Sequence, residues 1–596
     1  MAYTPLGNPS APRVTSTTSL MAKKGLNLRD LPQLLSPENA LIIRNYLITA
    51  EGGLTKRKGL TAVEDAGGTV GCTMLEEYTS NLLVYGYGTS LAVYDIAADT
   101  STIVKSDFNE TGFTGVRYGD YFFVASPGDK IGRLTQTLDY DAQSANFNVG
   151  SILTGGTSGA TAIILEDSDG GTSGTLTLGN ISGTFQNDET ITDDGGTPGS
   201  ATADGTVGYT YTEITNAPKA KVIRVVDTRL FAGNLSDEPT AVQYSEVDDG
   251  TNPPFTAWSN TTTATAGGKI FYRNAGDVND INNLGNIVVV FADNGKWAFT
   301  IDTIDSGGTL KKIDNTVMYR IDAGGNASLQ TKEGLFYVNE NGLYQLVSVG
   351  QNDIKFSDQE ALVSEQLGDD FFEDADFSQA SLLKDDVTNT LMITYKNDST
   401  NNNAVLTYNT QLKAYGTITG WNINRFMLAR DGTLYGAGSN TAKIWKVLQG
   451  NTDDGNDIWY EFEQELNVGA LWTRKELLGQ YVQGELSPSS QPVIQFDIYD
   501  KDGKFVENKL KLRWDYNVSG LTAVGFGDSP WGSPWGGDSD VSGTTEQFAG
   551  FRGRIKNFQR IHVNISGNDK VPHTINWLSL DTREKAAIRR RNLTQI

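Results

Sequence analysis

Apolar and polar residues alternate along most of this chain in runs of strand length. Seven segments share one layout, in which an apolar strand meets a polar turn rich in Gly, Asn or Asp and then a second strand ending in an aromatic or apolar residue. These segments begin at Leu82, Tyr121, Arg229, Ile287, Leu335, Leu391 and Thr433. The pattern predicts a series of β-hairpins and a mainly β fold.

The spacing of the hairpins is roughly 40 to 60 residues once residues 151–208 are set aside, which is the period of β-propeller blades. Radial repetition also leaves few long exposed sheet edges. We therefore predict a β-propeller formed by residues 81–150 and 209–450. The repeats lack a strict Trp-Asp or kelch signature, so a pair of β-sandwiches is the alternative.

Residues 151–208 differ from their surroundings, because they contain many acidic residues and neither Lys nor Arg. The alternation in ATAIIL and GTLTLGNISGTF predicts strands, and the Gly, Thr and Ser between them predict turns. This stretch is predicted to be a small inserted β module. A flexible acidic loop is the alternative.

Residues 451–580 contain longer alternating strands, which predict a C-terminal β-sandwich-like domain. Trp531 and Trp535 lie in a Gly/Pro-rich loop, where they either anchor an interface or pack back onto the domain. Residues 581–596 are predicted to form a basic helix or tail, with Thr582 as its cap and Arg589, Arg590 and Arg591 near its end.

The N-terminal region has a different pattern. Residues 1–24 are predicted to be an extended arm, which is either disordered or ordered on a neighbouring subunit. In residues 25–80, Ser36 is a candidate N-cap and Pro37 the first residue of a short helix that ends before Gly52, followed by a strand.

Composition narrows the function classes. The 596 residues include 48 Lys and Arg and 72 Asp and Glu, which gives a net charge of −24 and disfavours a surface that coats nucleic acid. The single cysteine, Cys72, allows no intrachain disulfide, and the two histidines are His562 and His573. No apolar run is long enough for a membrane helix, and the first residues lack a secretory pattern, so neither membrane insertion nor export is predicted.

No catalytic, cofactor-binding or metal-binding residues are assigned, and no enzymatic activity is predicted. Neither histidine accompanies a nucleophile motif, and no phosphate-binding loop is present. A pair of carboxylates for glycoside hydrolysis remains open among so many acids. Asp497, Asp500 and Asp502 resemble part of a calcium loop, but their spacing favours a hairpin turn.

One ordered series in the N-terminal region stands apart from the hairpins: Gly25-x-Asn27, Ser36-Pro37-Glu38, Arg44-Asn45 and then Lys56-Arg57-x-Gly59. It resembles the start of the tail hub or nozzle proteins of short-tailed phages, also described as packaged-DNA stabilisation or tail tubular B-like proteins. The insertion resembles a small β repeat of phage structural proteins, which has Gly-Glu where this chain has Asp188-Glu189. The C-terminal strands are similar in layout to the β domain of such tail proteins.

The resemblance implies a structural virion protein that forms a homohexameric ring in the phage tail and is assembled in the host cytoplasm. Its implied partners are its own copies, the tail adaptor and portal-proximal proteins, tail fibres or a tail needle, and double-stranded DNA that passes through the lumen without sequence-specific binding. An acidic lumen would repel that DNA and let it slide. Candidate docking residues are Lys56, Arg57, Lys58, Trp531, Trp535, Arg589, Arg590 and Arg591.

Two other functions remain open at this stage. One is a receptor-binding or glycan-degrading tail component, and the other is a non-viral β-propeller interaction scaffold.

Overall fold

The computed structural model of the chain describes residues 15–20, 22–248, 250, 253–258, 267–271, 273–285, 287–304, 310–312, 318–319, 327–347, 360–467, 474–486, 490, 492–499, 505–513, 545–551, 555–558 and 560–585. Nearly all regular structure in these residues is β. The N-terminal region contributes short strands, which are β1 (Thr15–Leu20), β2 (Gly25–Leu26), β3 (Asn39–Ala40), β4 (Ile42–Arg44), β5 (Tyr46–Ile48), β6 (Leu54–Lys56) and β7 (Leu60–Asp65), with a 3-10 turn at Pro32–Leu34.

The first two blades follow. Their strands, with those of the insertion, are β8 (Cys72–Thr79), β9 (Leu82–Tyr87), β10 (Ser90–Asp95), β11 (Thr100–Lys105), β12 (Thr114–Tyr118), β13 (Tyr121–Ser126), β14 (Asp129–Ala145), β15 (Ile152–Gly155), β16 (Thr161–Asp169), β17 (Gly174–Ser182), β18 (Thr190–Asp193), β19 (Ser200–Ala203) and β20 (Gly208–Glu213). Strands β8 to β11 form one antiparallel sheet, and β20 returns to complete the blade of β12, β13 and β14.

The third, fourth and fifth blades continue the antiparallel order. Their strands are β21 (Ala220–Val226), β22 (Arg229–Leu235), β23 (Ala241–Tyr244), β24 (Gly268–Phe271), β25 (Val278–Leu284), β26 (Ile287–Ala292), β27 (Gly295–Ile304), β28 (Leu310–Lys312), β29 (Met318–Tyr319), β30 (Ser328–Thr331), β31 (Gly334–Asn339), β32 (Gly342–Leu346) and β33 (Glu360–Leu362), with a 3-10 turn at Arg273–Ala275.

The sixth and seventh blades come after a 3-10 turn at Glu365–Leu367 and the short helix α1 (Gly368–Asp374). Their strands are β34 (Ala375–Asp376), β35 (Leu382–Asp385), β36 (Thr390–Asn397), β37 (Ala404–Asn409), β38 (Ala414–Thr419), β39 (Ile423–Leu428), β40 (Leu434–Gly438) and β41 (Lys443–Val447). The N-terminal strand β7 pairs with β41 and supplies the outer strand of the seventh blade.

The blades close into a ring. In the described residues their first strands β8, β12, β21, β25, β30, β35 and β39 contact one another in that order, and β39 contacts β8 again. The chain is therefore mainly β, with a seven-bladed β-propeller closed by a strand from before the first blade. Since β7 begins at Leu60 and β8 at Cys72, the propeller begins earlier than the predicted residue 81.

The C-terminal domain contains β42 (Ile458–Asn467), β43 (Arg474–Leu486), β44 (Val493–Tyr499), β45 (Phe505–Arg513), β46 (Thr545–Phe551), β47 (Ile555–Phe558), β48 (Arg560–Asp569) and β49 (His573–Lys585). One sheet joins β43, β46, β47 and β49 to β1, β5 and β6. The other joins β42, β44, β45 and β48 through β4 to blade six. Apolar side chains of both sheets and of blades four to six form one continuous core.

The predicted insertion is confirmed as a β module with its own core. Leu153, Ile164, Leu176, Phe185 and Ile191 are buried in a cluster that β15 to β19 share with the end of β14. Glu189 holds the module's loops together, because its carboxylate accepts hydrogen bonds from the backbone N–H groups of Thr157, Ser158 and Gln186. The strand β14 is continuous from the blade into the module, so the two are joined along one strand.

One predicted helix and one predicted helix cap are wrong. The region after Ser36 forms β3, β4 and β5 instead, because β4 pairs with β38 and β42, which are distant in sequence. Asn45 also has a φ of 58°, which a right-handed helix cannot contain. Thr582 is no cap, because it lies buried within β49, and residues 586–596 are outside the described residues.

Within the predicted arm, residues 15–20 and 22–24 are described, and the first of these parts forms β1. This part pairs antiparallel with β49 of the same chain, from Thr15 opposite Arg583 to Leu20 opposite Leu578. The hairpin turn predicted near Asp497 agrees with the antiparallel pairing of β44 and β45, while Asp500 and Asp502 lie outside the described residues.

Candidate functional site

The predicted docking residue Lys56 is buried at the junction between the N-terminal strands and the C-terminal domain. Its Nζ donates to Asp569 Oδ1 at 2.7 Å and to the carbonyl oxygen of Val571 at 3.1 Å. Burial lowers the pKa of Lys56, and the hydrogen bond with Asp569 opposes that shift. The expected docking role for Lys56 is therefore corrected, because its charge is neutralised inside the chain.

Arg57 is also buried, with its charge paired within the chain. Its Nη1 and Nη2 donate to the two carboxylate oxygens of Asp453 at 2.7 and 2.5 Å, and its Nε donates to Asn45 Oδ1 at 2.8 Å. The guanidinium lies 4.6 Å from the ring centre of Trp421, whose Nε1 donates to the same carboxylate. Arg57 thus fixes the propeller's closure instead of presenting a cation for docking, which corrects that expectation too.

Lys58 differs from its two neighbours because it is exposed. Among the docking candidates that the structure describes, Lys58 is therefore the residue that a partner can contact. The other predicted docking residues, Trp531, Trp535, Arg589, Arg590 and Arg591, lie outside the described residues.

A serine, a histidine and an aspartate meet beside Lys56, although they are far apart in sequence. Ser490 Oγ lies 3.2 Å from His573 Nδ1 and 3.4 Å from Asp569 Oδ2, while Tyr46 Oη lies 2.9 Å from His573 Nε2. Tyr460 donates to Asp569 at 2.9 Å. Ser490 and His573 are fully buried, and burial lowers the pKa of His573 to about 3.

This cluster is built as a structural network. Both ring nitrogens of His573 are occupied by hydroxyl groups, and Asp569 already accepts from Lys56 and Tyr460. A nucleophilic site needs a serine that substrate can reach, with the aspartate oriented on the second ring nitrogen. The arrangement instead ties β5, β6, β42, β48 and β49 together.

The residues of the N-terminal series converge on the same junction. Gly25 has a φ of 67°, and a Cβ there would lie 2.3 Å from the backbone nitrogen of Tyr415. A Cβ at Gly59 would lie 1.8 Å from the carbonyl oxygen of Thr452. Arg44 donates to Glu461 at 2.8 Å and lies over the ring of Trp459. These positions therefore need the residues that they have.

Three exposed leucines lie beside this junction. Leu28, Leu31 and Leu34 are 44, 63 and 72% exposed, and the 3-10 turn at Pro32–Leu34 contacts β42. Apolar side chains grouped in this way are typical of an interaction surface. We call residues 28–34 the leucine segment.

The propeller contains an axial cavity of about 620 Å³. It is lined by the first strands of six blades, which contribute Glu76, Thr114, Arg224, Ser328, Lys384 and Arg425. Asp280, on the first strand of the remaining blade, is buried next to Arg224. The sequence analysis missed these charged residues, because they lie in strands outside the predicted hairpins and only the ring brings them together.

The described residues give no further chemical site. They contain no group of His, Cys, Asp and Glu that could hold a metal ion. The described part of the chain also contains no helix with the length and apolar composition that a membrane crossing requires.

Comparisons with known proteins give structural likenesses of low similarity. No protein-family profile matches the chain, and no curated protein matches it. The WD40 propeller domain of Doa1 is 8% identical and covers 65% of this chain and 97% of its own, with a TM-score of 0.31. A structure titled as the mitotic checkpoint complex is 11% identical and covers 70% and 96%, with a TM-score of 0.35. Hsv2 of Kluyveromyces lactis is 11% identical and covers 58% of this chain and 97% of its own, with a TM-score of 0.24. Likenesses of this size carry no argument about fold or function.

Proposed function

We propose that this chain is a structural virion protein of a short-tailed phage, whose copies form a ring below the portal and adaptor. The ring retains packaged DNA and conducts it during ejection. The observation that carries the proposal is the convergence of the N-terminal series on one junction. Residues in that series resemble the start of tail nozzle proteins, and each of those described above has a specific structural task.

The tasks explain why the series has this order. Gly25 allows the first turn to lie against blade six, and Asn45 adopts the left-handed conformation while its side chain accepts from Arg57. Arg57 then pairs with Asp453 beyond the last blade, and Gly59 lets the closing strand pass the backbone of Thr452. The series is thus the part of the chain that couples a propeller to a two-sheet platform, and a shared motif supports a shared arrangement.

A rigid coupling of this kind suits a tail component. The sheet that contains β42 and β48 continues through β4 into blade six, so force on the platform is transmitted through hydrogen-bonded strands. The net charge of −24 would keep a DNA duplex from binding the walls of a lumen. Both properties favour a conduit that holds DNA and then lets it slide.

The leucine segment is the surface that we assign to contact between copies. Copies with a net charge of −24 repel one another, so their association needs apolar contact instead of attraction between charged faces. Leu31 and Leu34 are the most exposed leucines of this segment and lie next to the motif.

The test is the mass of the purified chain, alone and with the adaptor-bearing tail complex, combined with negative-stain imaging. Six copies of a 64.6 kDa chain would weigh about 388 kDa, and we expect a ring of that mass with a central opening. A chain that joins only the tail complex would indicate templated assembly. A strict monomer under both conditions would contradict the proposal.

The matched variants replace leucines. L31S/L34S should remove the ring or its binding to the tail complex while the melting temperature of the monomer stays the same. V387S is the control, because Val387 is 91% exposed but lies on blade six, away from the leucine segment. Assembly that is unchanged in L31S/L34S would exclude this surface.

A further inference from the structure

The axial cavity of the propeller holds two arginines that the protein does not fully neutralise. Arg425 donates from Nε to the carbonyl oxygen of Thr73 at 2.8 Å, and from Nη1 to those of Gln379 and Asn424 at 3.4 and 3.1 Å. Among the described residues, no carboxylate lies within 4.0 Å of its guanidinium. Arg425 is therefore oriented by neutral acceptors, and its charge remains for the cavity.

Arg224 is held in a similar way. Its Nε donates to the carbonyl oxygen of Ile281 at 3.0 Å, while its Nη2 lies 4.0 Å from Asp280 Oδ1, which is beyond hydrogen-bond distance. Asp280 is occupied elsewhere, because it accepts from the Ser328 hydroxyl at 2.6 Å and from the backbone N–H of Ile281. Arg224 thus also directs donors toward the cavity.

Glu76 is the acidic residue that faces these two arginines. In the described part of the chain its carboxylate makes neither a hydrogen bond nor an ion pair, although it lines the cavity with Arg224 and Arg425. Burial raises the pKa of Glu76 to about 7, and the two arginines oppose the shift. Burial also lowers the pKa of Arg425 to about 10, against the effects of Asp280 and Glu76.

Arg224, Arg425, Glu76 and Asp280 form one layer of charged groups, and their charges nearly balance. With Glu76 ionised, two arginines face Glu76 and Asp280 and the layer is neutral. With Glu76 protonated, the layer carries one positive charge, and the carboxylic acid becomes a hydrogen-bond donor. A buried positive charge without a partner favours an anion. The lining also contains two lysines. Lys384 adds no net charge to these four groups, because it is paired with Glu333 and Asp386, and Lys332 is exposed to solvent.

We propose that the axial cavity is a binding site for a small oxyanion, which Arg224 and Arg425 hold while Glu76 takes up a proton and donates to it. The oxyanion accepts hydrogen bonds from both guanidinium groups, and no covalent step is involved. The cavity of about 620 Å³ is larger than an inorganic ion, so a phosphate monoester of a small molecule also fits. Free ions and monoesters present the same oxygens.

Sulfate is the probe, because it stays fully ionised between pH 6 and 8 and any pH dependence belongs to the protein. Calorimetric titration of the full chain at constant ionic strength should give saturable binding that is about tenfold tighter at pH 6 than at pH 8. The reason is that Glu76, with a pKa of about 7, is about nine-tenths protonated at pH 6 and about one-tenth protonated at pH 8. If glycerol 2-phosphate binds more tightly than sulfate, the ligand is a phosphate monoester. If the two bind with equal affinity, the ligand is a free ion.

The decisive variant is E76Q, which keeps the shape of the side chain. Its sulfate affinity should be the same at pH 6 and pH 8 and should match the wild-type value at pH 6. R425Q and R224Q should each weaken binding at least tenfold, whereas R430Q should not, because Arg430 follows the same strand as Arg425 but lies outside the cavity lining. The absence of saturable binding, or a pH dependence that survives in folded E76Q, would overturn the proposal.

Discussion

Arg57 and Asp453 form a bidentate ion pair that joins the two ends of the propeller. Arg57 precedes the closing strand β7, Asp453 follows the last strand β41, and their paired atoms lie 2.7 and 2.5 Å apart. The side chain of Arg57 is fully buried and that of Asp453 is 18% exposed. A pair in this position prevents the closing strand from separating from blade seven.

Breaking this pair should destabilise the propeller strongly. R57M leaves the Asp453 carboxylate without its cation, and D453N leaves the buried Arg57 guanidinium without its anion. Each variant should lower the free energy of unfolding by about 3 to 5 kcal/mol. Urea denaturation followed by tryptophan fluorescence measures the loss, since Trp421 lies against Arg57. K443M is the control, because Lys443 makes two partly exposed ion pairs, and it should cost at most about 1 kcal/mol. Equal losses in R57M and K443M would contradict the assigned role.

Gly59 should not tolerate a side chain. A Cβ at this position would lie 1.8 Å from the carbonyl oxygen of Thr452, and backbone cannot move aside as a flexible side chain can. G59A should therefore lower the free energy of unfolding by about 1 to 3 kcal/mol or more, as overpacking does at other buried sites. G196A is the matched control, because a Cβ at Gly196 meets no atom within 4 Å, and a melting temperature that falls equally in both would refute this explanation.

The hairpins of this fold were predictable because their signals are local. The seven predicted segments coincide with the second and third strands of the seven blades, for example Leu82 in β9 and Ile287 in β26. Those strands are apolar on both faces or end at turns with clear sequence signatures. The inserted module was predictable for the same reason.

The ring of first strands and the closure were not predictable, because the contacts between blades and the pairing of β7 with β41 join residues that are distant in sequence. Glu76 and Arg425 belong to different blades, and the cavity that they share exists only after the ring closes. The sequence of Lys56 and Arg57 predicts an exposed basic run. In the structure both side chains are buried and are paired with Asp569 and Asp453. The helix expected after Ser36 failed because strand pairing with β38 and β42 outweighs a local capping signal.

The two histidines should affect stability in opposite directions as pH falls. Burial lowers the pKa of His573 to about 3, so below about pH 6.5 the unfolded chain binds a proton that the folded chain does not. His573 should therefore reduce the free energy of unfolding by about 2 kcal/mol between pH 7.5 and 5. His562 Nε2 lies 3.4 Å from the Glu463 carboxylate, and the interaction with that carboxylate raises the pKa of His562. The stability that His562 adds is therefore present below its pKa in the unfolded chain and is lost as pH rises through its pKa in the folded chain.

Denaturation of matched variants at the two pH values separates these effects. H573Q should lose less stability than the wild type on acidification, and H562Q should lose more. The comparison removes contributions common to all three proteins, including that of Glu76. Parallel pH profiles for the wild type and H573Q would contradict the buried, neutral state of His573.

The backbone conformation of Asp188 is one that favours glycine, which is the residue that the resembled repeat has at this position. The φ of Asp188 is 60°, a left-handed conformation in which glycine is unstrained, while the adjacent Glu189 holds the loops through backbone N–H groups. D188G should therefore raise the stability of the module by about 0.5 to 1 kcal/mol, because relief of strain outweighs the added freedom of the unfolded chain. Asp204 in the same module does not have a positive φ, so D204G should destabilise it, and hydrogen exchange of the amides in β15 to β19 measures both changes. Slower exchange in D188G and faster exchange in D204G would attribute the difference to backbone conformation, whereas equal changes in both would attribute it to loss of an acidic side chain.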